Sequence, residues 1–209
     1  MLHKHKYGQV KEIEEIKKTN GEEDLPYMFE NVIDKDNNHI YYYGPISHSN
    51  VLNLVQLIRT VDLENQNAKI KWDLLDPPPI HIHLNSYGGN FHAGMAAYRS
   101  VLNATSPVYI HNEGAVASAA TFMAVAADYR DIGAEGLFCI HQLSGAFRGK
   151  YYEFVDEKEN FDKEMEVMNK VYLQHTKLTQ KDIDQIMRRD LWFTAEEALK
   201  KGLVDEILE

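Results

Sequence analysis

The chain has 209 residues, 44% of them apolar, enough to bury one core without help from disulfides or metals. A formal charge of −10 excludes a sequence-independent nucleic-acid binder, which needs a basic face, and the single cysteine, Cys139, excludes a disulfide framework. No apolar run approaches the ~20 residues that span a bilayer, and the polar start Met-Leu-His-Lys-His-Lys is no secretory signal, so a soluble cytoplasmic protein with no nucleic-acid or membrane partner is expected.

Residues 1–24 are rich in lysine and glutamate with few apolar anchors and read as a polar lead, either mobile or only partly helical; residues 25–209 read as one domain. Asp34-Lys-Asp-Asn-Asn38 reads as a turn, and the aromatic, β-branched His39–Tyr43 as a strand ended by Gly44-Pro45. Ser49 or Asn50 caps a helix to about Thr60, with Leu52, Val55 and Ile58 spaced for one buried face. Pro77-Pro-Pro79 lacks amide donors and forces an extended lead into the strand Ile80–Leu84. Asn85–Gly89 then turns into a helix from about Phe91 to Leu102. Val108–Ile110 and Gly136–Ile140 read as strands, with the alanine-rich Ala115–Ala127 as a helix between them. Strand, turn and helix repeated in this way imply an α/β fold with a mostly parallel sheet.

The clearest helix runs from Tyr151 to about Thr176. Phe161, Met165, Met168, Tyr172 and His175 step by four, three, four and three into one apolar stripe. Such a helix is nearly 40 Å long, at about 1.5 Å per residue. The stripe alone favours covering the sheet over meeting another subunit. Asp182–Met187 forms a short amphipathic helix. Thr194-Ala-Glu-Glu197 is a capping box for a helix to Lys201, Gly202 its left-handed stop, and Leu203–Ile207 a closing strand.

Three separated residues carry the chemistry. Ser118, among small residues after Gly114, offers a hydroxyl at the first turn of a helix, where free N–H groups and the dipole stabilise an oxyanion. A serine packed among alanines is the plainer alternative. His141 ends the strand Leu137–Ile140 and is followed by Gln142 and a Gly-rich loop; any of ten histidines could be structural instead. Asp190, between Arg188-Arg189 and Leu191-Trp-Phe193, could orient an imidazole from an apolar flank or pair with the arginines. A nucleophile, a base and an orienting carboxylate in the order Ser…His…Asp suffice for acyl transfer, and the order differs from that of α/β-hydrolases, trypsin-like enzymes and subtilisins. Gly88-Gly89 lets backbone approach a substrate, and its N–H with that of Ala119 would form an oxyanion hole. Neither a G-x-G-x-x-G nor a Walker spacing occurs, so no nucleotide cofactor is expected.

Asn85-Ser-Tyr-Gly-Gly89, Ala93-Gly-Met95, Gly114 followed by Ala117-Ser118, Ile140-His141-Gln142, and Asp190 followed by Thr194-Ala-Glu-Glu-Ala198 and Gly202-Leu-Val-Asp205 together resemble the ClpP family, the peptidase component of an ATP-dependent protease. The resemblance runs collinearly over roughly residues 39–209. It implies a crotonase/ClpP-like β-α spiral with a projecting handle helix, here residues 143–178, which favours a subunit contact for the stripe. It implies Ser118 as nucleophile, His141 as general base, Asp190 as its orienter, and the amides of Gly89 and Ala119 as the oxyanion hole. It implies homo-oligomers of stacked heptameric rings, a tetradecamer enclosing a chamber, that hydrolyse unfolded polypeptides. An AAA+ unfoldase partner would use the ATP, leaving this chain without cofactor or metal.

The chain departs from the family pattern in places. Tyr87 and Leu143 stand where proline is usual, Ala119-Ala120 replace Met-Gly, and the stretch around Asn65–Pro79 is about ten residues longer. His81 and His83 replace aromatics on the strand that helps form the unfoldase-binding grooves. At i and i+2 they face one side; with no Cys, Asp or Glu at suitable spacing they read as a surface for the unfoldase rather than a metal site. Besides an active endopeptidase, the residues allow a weakly active or inactive ring subunit and a crotonase-type acyl-CoA enzyme.

Overall fold

Residues 32–209 are described by the computed structural model; the polar lead lies outside them. Val32–Asp36 (β1) and His39–Tyr43 (β2) form an antiparallel hairpin turned at Asn37, whose φ is +54°. The turn expected at residues 34–38 is therefore confined to Asn37-Asn38, because Asp34 and Lys35 pair with Tyr41 and Ile40. The helix His48–Trp72 (α1) is capped by the Ser47 hydroxyl, 3.2 Å from the Asn50 amide. It buries Val51, Leu54, Ile58 and Val61, while Leu52 is exposed.

α1 runs twelve residues past the expected end at Thr60, through the stretch that the family pattern lacks. Those last turns are held by polar contacts rather than an apolar stripe. Asp62 accepts from the amides of Thr105 and Ser106, and Asn65 donates to the Pro78 carbonyl at 2.9 Å. Ile70 and Trp72 stay exposed, so hydrophobic periodicity carried no sign of them.

Ile80–Ser86 (β3) leads through Gly88-Gly89 into Phe91–Asn103 (α2), and Val108–Ala117 (β4) into Ala120–Ala126 (α3). Residues 115–117, expected to be helical, close β4 instead: alanine's helix propensity yields to pairing with β3 on one side and Leu137–Cys139 (β6) on the other. Tyr129–Gly133 (β5) has no counterpart among the expected elements. The long helix Tyr151–His175 (α4), Gln180–Ile186 (α5), the short Trp192–Phe193 (β7), Ala195–Lys201 (α6) and Glu206–Leu208 (β8) complete the chain.

The sheet order is β1-β2-β3-β4-β5-β8, parallel from β2 onward, with β6 on the far half of β4 and β7 antiparallel to β6. This is the mostly parallel α/β arrangement that the strand-turn-helix pattern implied. One face of the sheet, Ile40, Tyr42, Ile80, Ile82, Leu84, Val108 and Ile110, is fully buried in a core shared with α1, α2 and α3. Between Leu84 and Ser86 the register with β4 shifts from Asn112 to Val116, and Gly114 takes φ +74° in the bulge. The Asn85 side chain accepts from the Ala115 amide there. The bulge lets one strand pair with β5 first and β6 later, and it carries Ser118 beside Gly88.

The stripe on α4 sinks gradually: Phe161 and Met165 are half-buried, Met168 and Tyr172 buried. It rests on α3 and α5, not across the sheet. The first turns stand clear of this contact, with Tyr151 74% and Tyr152 77% exposed. Among the described residues no helix is long and apolar enough to cross a membrane.

Candidate active site

Ser118 follows β4 and precedes α3 with φ +54°, left-handed and uncommon for a residue with a Cβ. Its amide donates to the Cys139 carbonyl at 2.9 Å. Its carbonyl accepts twice from Thr121, from the amide at 2.9 Å and the hydroxyl at 2.6 Å. The Thr121 hydroxyl is also 2.7 Å from the fully buried phenol of Tyr172 on α4. The serine is thus fixed by its neighbours' backbone and by a buried hydroxyl pair that sequence reading did not flag.

Gly88, at φ +92°, packs so closely that a Cβ there would lie 2.5 Å from the Ser118 Cβ and 2.6 Å from the Ala117 carbonyl. Only glycine fits both the angle and the space. The corner is tied by Ile46 donating to Gly88 O and Asn90 donating to Ile46 O, both at 2.8 Å. The amides of Gly89 and Ala119 take no part in these bonds among the described residues, and both residues line a cavity with Ser118.

That cavity, about 310 Å³, also takes in His141, Leu143, Phe161 and Met168, with Glu157 and Glu164 from α4. Four of the five residues expected for catalysis, Ser118, His141, Gly89 and Ala119, therefore surround one space. Asp190 is not among its lining residues and is exposed, next to a flank in which Leu191 and Trp192 are exposed as well. His141 Nδ1 lies 2.6 Å from the Gln142 carbonyl. A carbonyl only accepts, so Nδ1 carries the proton and Nε2 is left as the basic nitrogen. The Asp190 charge is felt next door: Cys139 is pushed above its ordinary thiol range, mainly by burial and then by that carboxylate. Two of the family departures find partners: Tyr87 stacks edge-on with Trp192 at 5.9 Å, and the Leu143 amide meets Met165 Sδ at 3.4 Å.

His81 and His83 are half-buried on the face of β3 turned away from the core. Each meets another histidine, His81 with His111 at 2.8 Å and His83 with His39 at 2.9 Å. Glu113 and Asp131 join them, carboxylates that linear spacing did not reveal. Among the described residues, no group of three or more His, Cys, Asp or Glu is arranged to hold a metal ion.

In fold the chain resembles a point mutant of ClpP1 from Listeria monocytogenes: the TM-score is 0.71 at 24% identity, covering 83% of this chain and 92% of that one. The family model for Clp protease matches residues 35–209, which include the corner, the cavity and Asp190. The chain belongs to the Clp protease family.

Proposed function

We propose that this chain is a serine endopeptidase subunit of a compartmentalised, ATP-dependent protease, with Ser118 as nucleophile, His141 as general base and Asp190 as the carboxylate that orients it. The observation that carries the reading is the cavity that Ser118 shares with His141 and with the uncommitted amides of Gly89 and Ala119. In that corner His141 Nε2 takes the serine proton as Oγ attacks a peptide carbonyl. The two amides receive the charge that forms on its oxygen, worth about 3–4 kcal/mol per donor in comparable sites. His141 then returns the proton to the leaving amine.

The antiparallel register supports a role for Asp190. Phe138 pairs with Phe193 and Cys139 with Trp192. The pairing ends there; continued by two more residues, the same register would set His141 opposite Asp190. Rotation of the imidazole from Gln142 toward that carboxylate completes the triad. The present contact of Nδ1 with Gln142 favours a second reading, a ring subunit that assembles but cuts weakly.

On the leading reading the exposed aromatics at the start of α4 meet other copies in stacked rings. His81 and His83 belong to the surface that receives an AAA+ unfoldase, and that partner spends the ATP while this chain needs no cofactor or metal. Labelling with a fluorophosphonate separates the readings. Modification of the native particle at Ser118, abolished in Ser118→Ala, is expected. An assembled but unreactive wild-type particle supports the weak subunit, and turnover of a CoA thioester that survives Ser118→Ala would show a different enzyme.

A further inference from the structure

Strand alternation puts a second polar cluster on the sheet, independent of Ser118. His39, Tyr41 and Tyr43 of β2, His81 and His83 of β3, Tyr109, His111 and Glu113 of β4, and Tyr129 and Asp131 of β5 share the side away from the core. The side chains link into two chains. In one, His39 Nδ1 is 2.9 Å from His83 Nε2, and His83 Nδ1 is 2.7 Å from Glu113 Oε1. In the other, His81 Nδ1 is 2.8 Å from His111 Nε2, and His111 Nδ1 is 2.6 Å from Asp131 Oδ2. The chains lie against each other, His39 stacked over His81 at 4.5 Å and His83 tilted against His111 at 4.9 Å, with Tyr41 on His83 at 4.6 Å.

Hydrogen-bond chemistry fixes the protons. An ionised carboxylate only accepts, so Nδ1 of His83 and of His111 must donate to it. In a neutral ring Nε2 is then an acceptor, and it takes the Nδ1 proton of His39 or His81. With both pairs neutral, all four imidazoles share one tautomer, with the proton on Nδ1. Glu113 also accepts from the Tyr43 hydroxyl, and Tyr43 lines a cavity of about 510 Å³ with Asn85, Tyr87 and Leu137.

We propose that these two His–His–carboxylate chains form a proton-operated latch across β2–β5. With neutral rings the latch is closed and ties the strands together up to the Tyr43 wall of the cavity. One proton per chain is accommodated: it binds Nε2 of the outer histidine while the Nδ1 proton passes to the inner Nε2. A second proton on the same pair leaves two N–H donors facing each other at under 3 Å, and the pair must separate. Stacking sets cation beside cation and opposes charging further.

Other titratable groups on this side are Asp34 and Asp36 of β1 and Glu206 of β8, and these strands place no lysine or arginine there. Burial, followed by the neighbouring imidazoles, lowers His39 and takes His81 down to about 4, although Asp36 pulls His39 upward. For Glu113 burial acts upward, but the bonds from Tyr43 and His83 prevail and hold it below the ordinary carboxylate range. Between pH 6.5 and about 4 the unfolded chain therefore binds protons that the folded one refuses. The latch's stabilisation is complete above pH 6.5 and is lost as the pH falls toward 4.

Histidine ¹⁵N spectra and thermal unfolding of the wild-type protein from pH 8 to pH 4.5 test this, beside the double variant His39→Gln/His81→Gln, whose amides donate without titrating. The four rings should show protonated Nδ1 and bare Nε2 at pH 8 and change together on acidification. The unfolding constant should rise by up to about tenfold per pH unit for each outer histidine, and the double variant should lose that slope. Nε2-protonated rings at pH 8, or four independent titrations near the ordinary value with a flat unfolding temperature, would overturn the latch. If the double variant does not fold, the wild-type spectra decide alone.

Discussion

Ser118 occupies a backbone conformation that costs a non-glycine residue of order 1–3 kcal/mol, so the surrounding bonds must over-determine it. Thr121 is central, because its amide and hydroxyl both hold the Ser118 carbonyl while the hydroxyl meets Tyr172. Thr121→Val keeps the shape and removes the hydroxyl, leaving a buried phenol without that partner. A loss of about 1–3 kcal/mol is expected, seen as a lower unfolding temperature, with slower fluorophosphonate labelling if the serine relaxes. Asp190→Asn discriminates between the two ways of orienting His141. If the carboxylate turns the ring during turnover, kcat on a short peptide should fall by about 10⁴. If the Gln142 carbonyl serves throughout, the loss should stay below about tenfold, and the role assigned to Asp190 fails.

At the scale of elements, α4 divides into a buried base and an exposed start. Tyr151, Tyr152, Phe154 and Val155 form an apolar run in water at its first turns, while Met168, Val171 and Tyr172 root the other end. If the proposed rings meet through these aromatics, Tyr151→Ser/Tyr152→Ser should leave the unfolding temperature of the subunit within a few degrees yet shift the sedimenting particle to smaller size. An unchanged particle would remove these aromatics from the assembly. Sequence pattern read α4 to within a residue because its apolar period is sustained over several turns. It placed the Gly202 stop and the Thr194 capping box because each is a local rule. It misread residues 115–117 and missed β5 because those strands are defined by partners distant in the chain, and the Gly114 bulge that redirects β4 has no local signature. Ser118, His141 and the Gly-Gly turn were legible from their motifs. The positive φ of Ser118, the Tyr172–Thr121 pair and the carboxylates under the histidines arise only when strands are brought side by side.

Across the molecule, Arg130 joins parts that no single element connects. From β5 it donates to both Asp205 oxygens, from Nε at 2.9 Å and Nη2 at 2.8 Å, and its Nη1 reaches the His175 carbonyl at the end of α4. A further bond goes to Val125 O in α3, and the Asp205 amide returns to the Arg130 carbonyl at 2.7 Å. One guanidinium therefore closes the C-terminal segment and the foot of α4 against the body that holds Ser118. Its side chain is 11% exposed but Asp205 is 38% exposed. Removing the arginine should thus cost toward the lower side of a buried pair's loss, about 2–3 kcal/mol, solvent screening the carboxylate that remains. For a chain of this size that is about 4–12 °C in unfolding temperature. Burial alone would raise the Asp205 carboxyl, but Arg130's bonds and charge outweigh it and hold the group below its ordinary range. A depressed acid stabilises the fold above its unfolded value and loses that contribution as pH falls through the folded one. Arg130→Leu should therefore lose most stability near neutrality and converge with wild type in strong acid, below the range where the histidines respond. Unfolding temperatures measured from pH 7 to pH 3 check this; a constant offset between the two curves would mean that the guanidinium acts through packing and carbonyl bonds rather than through Asp205.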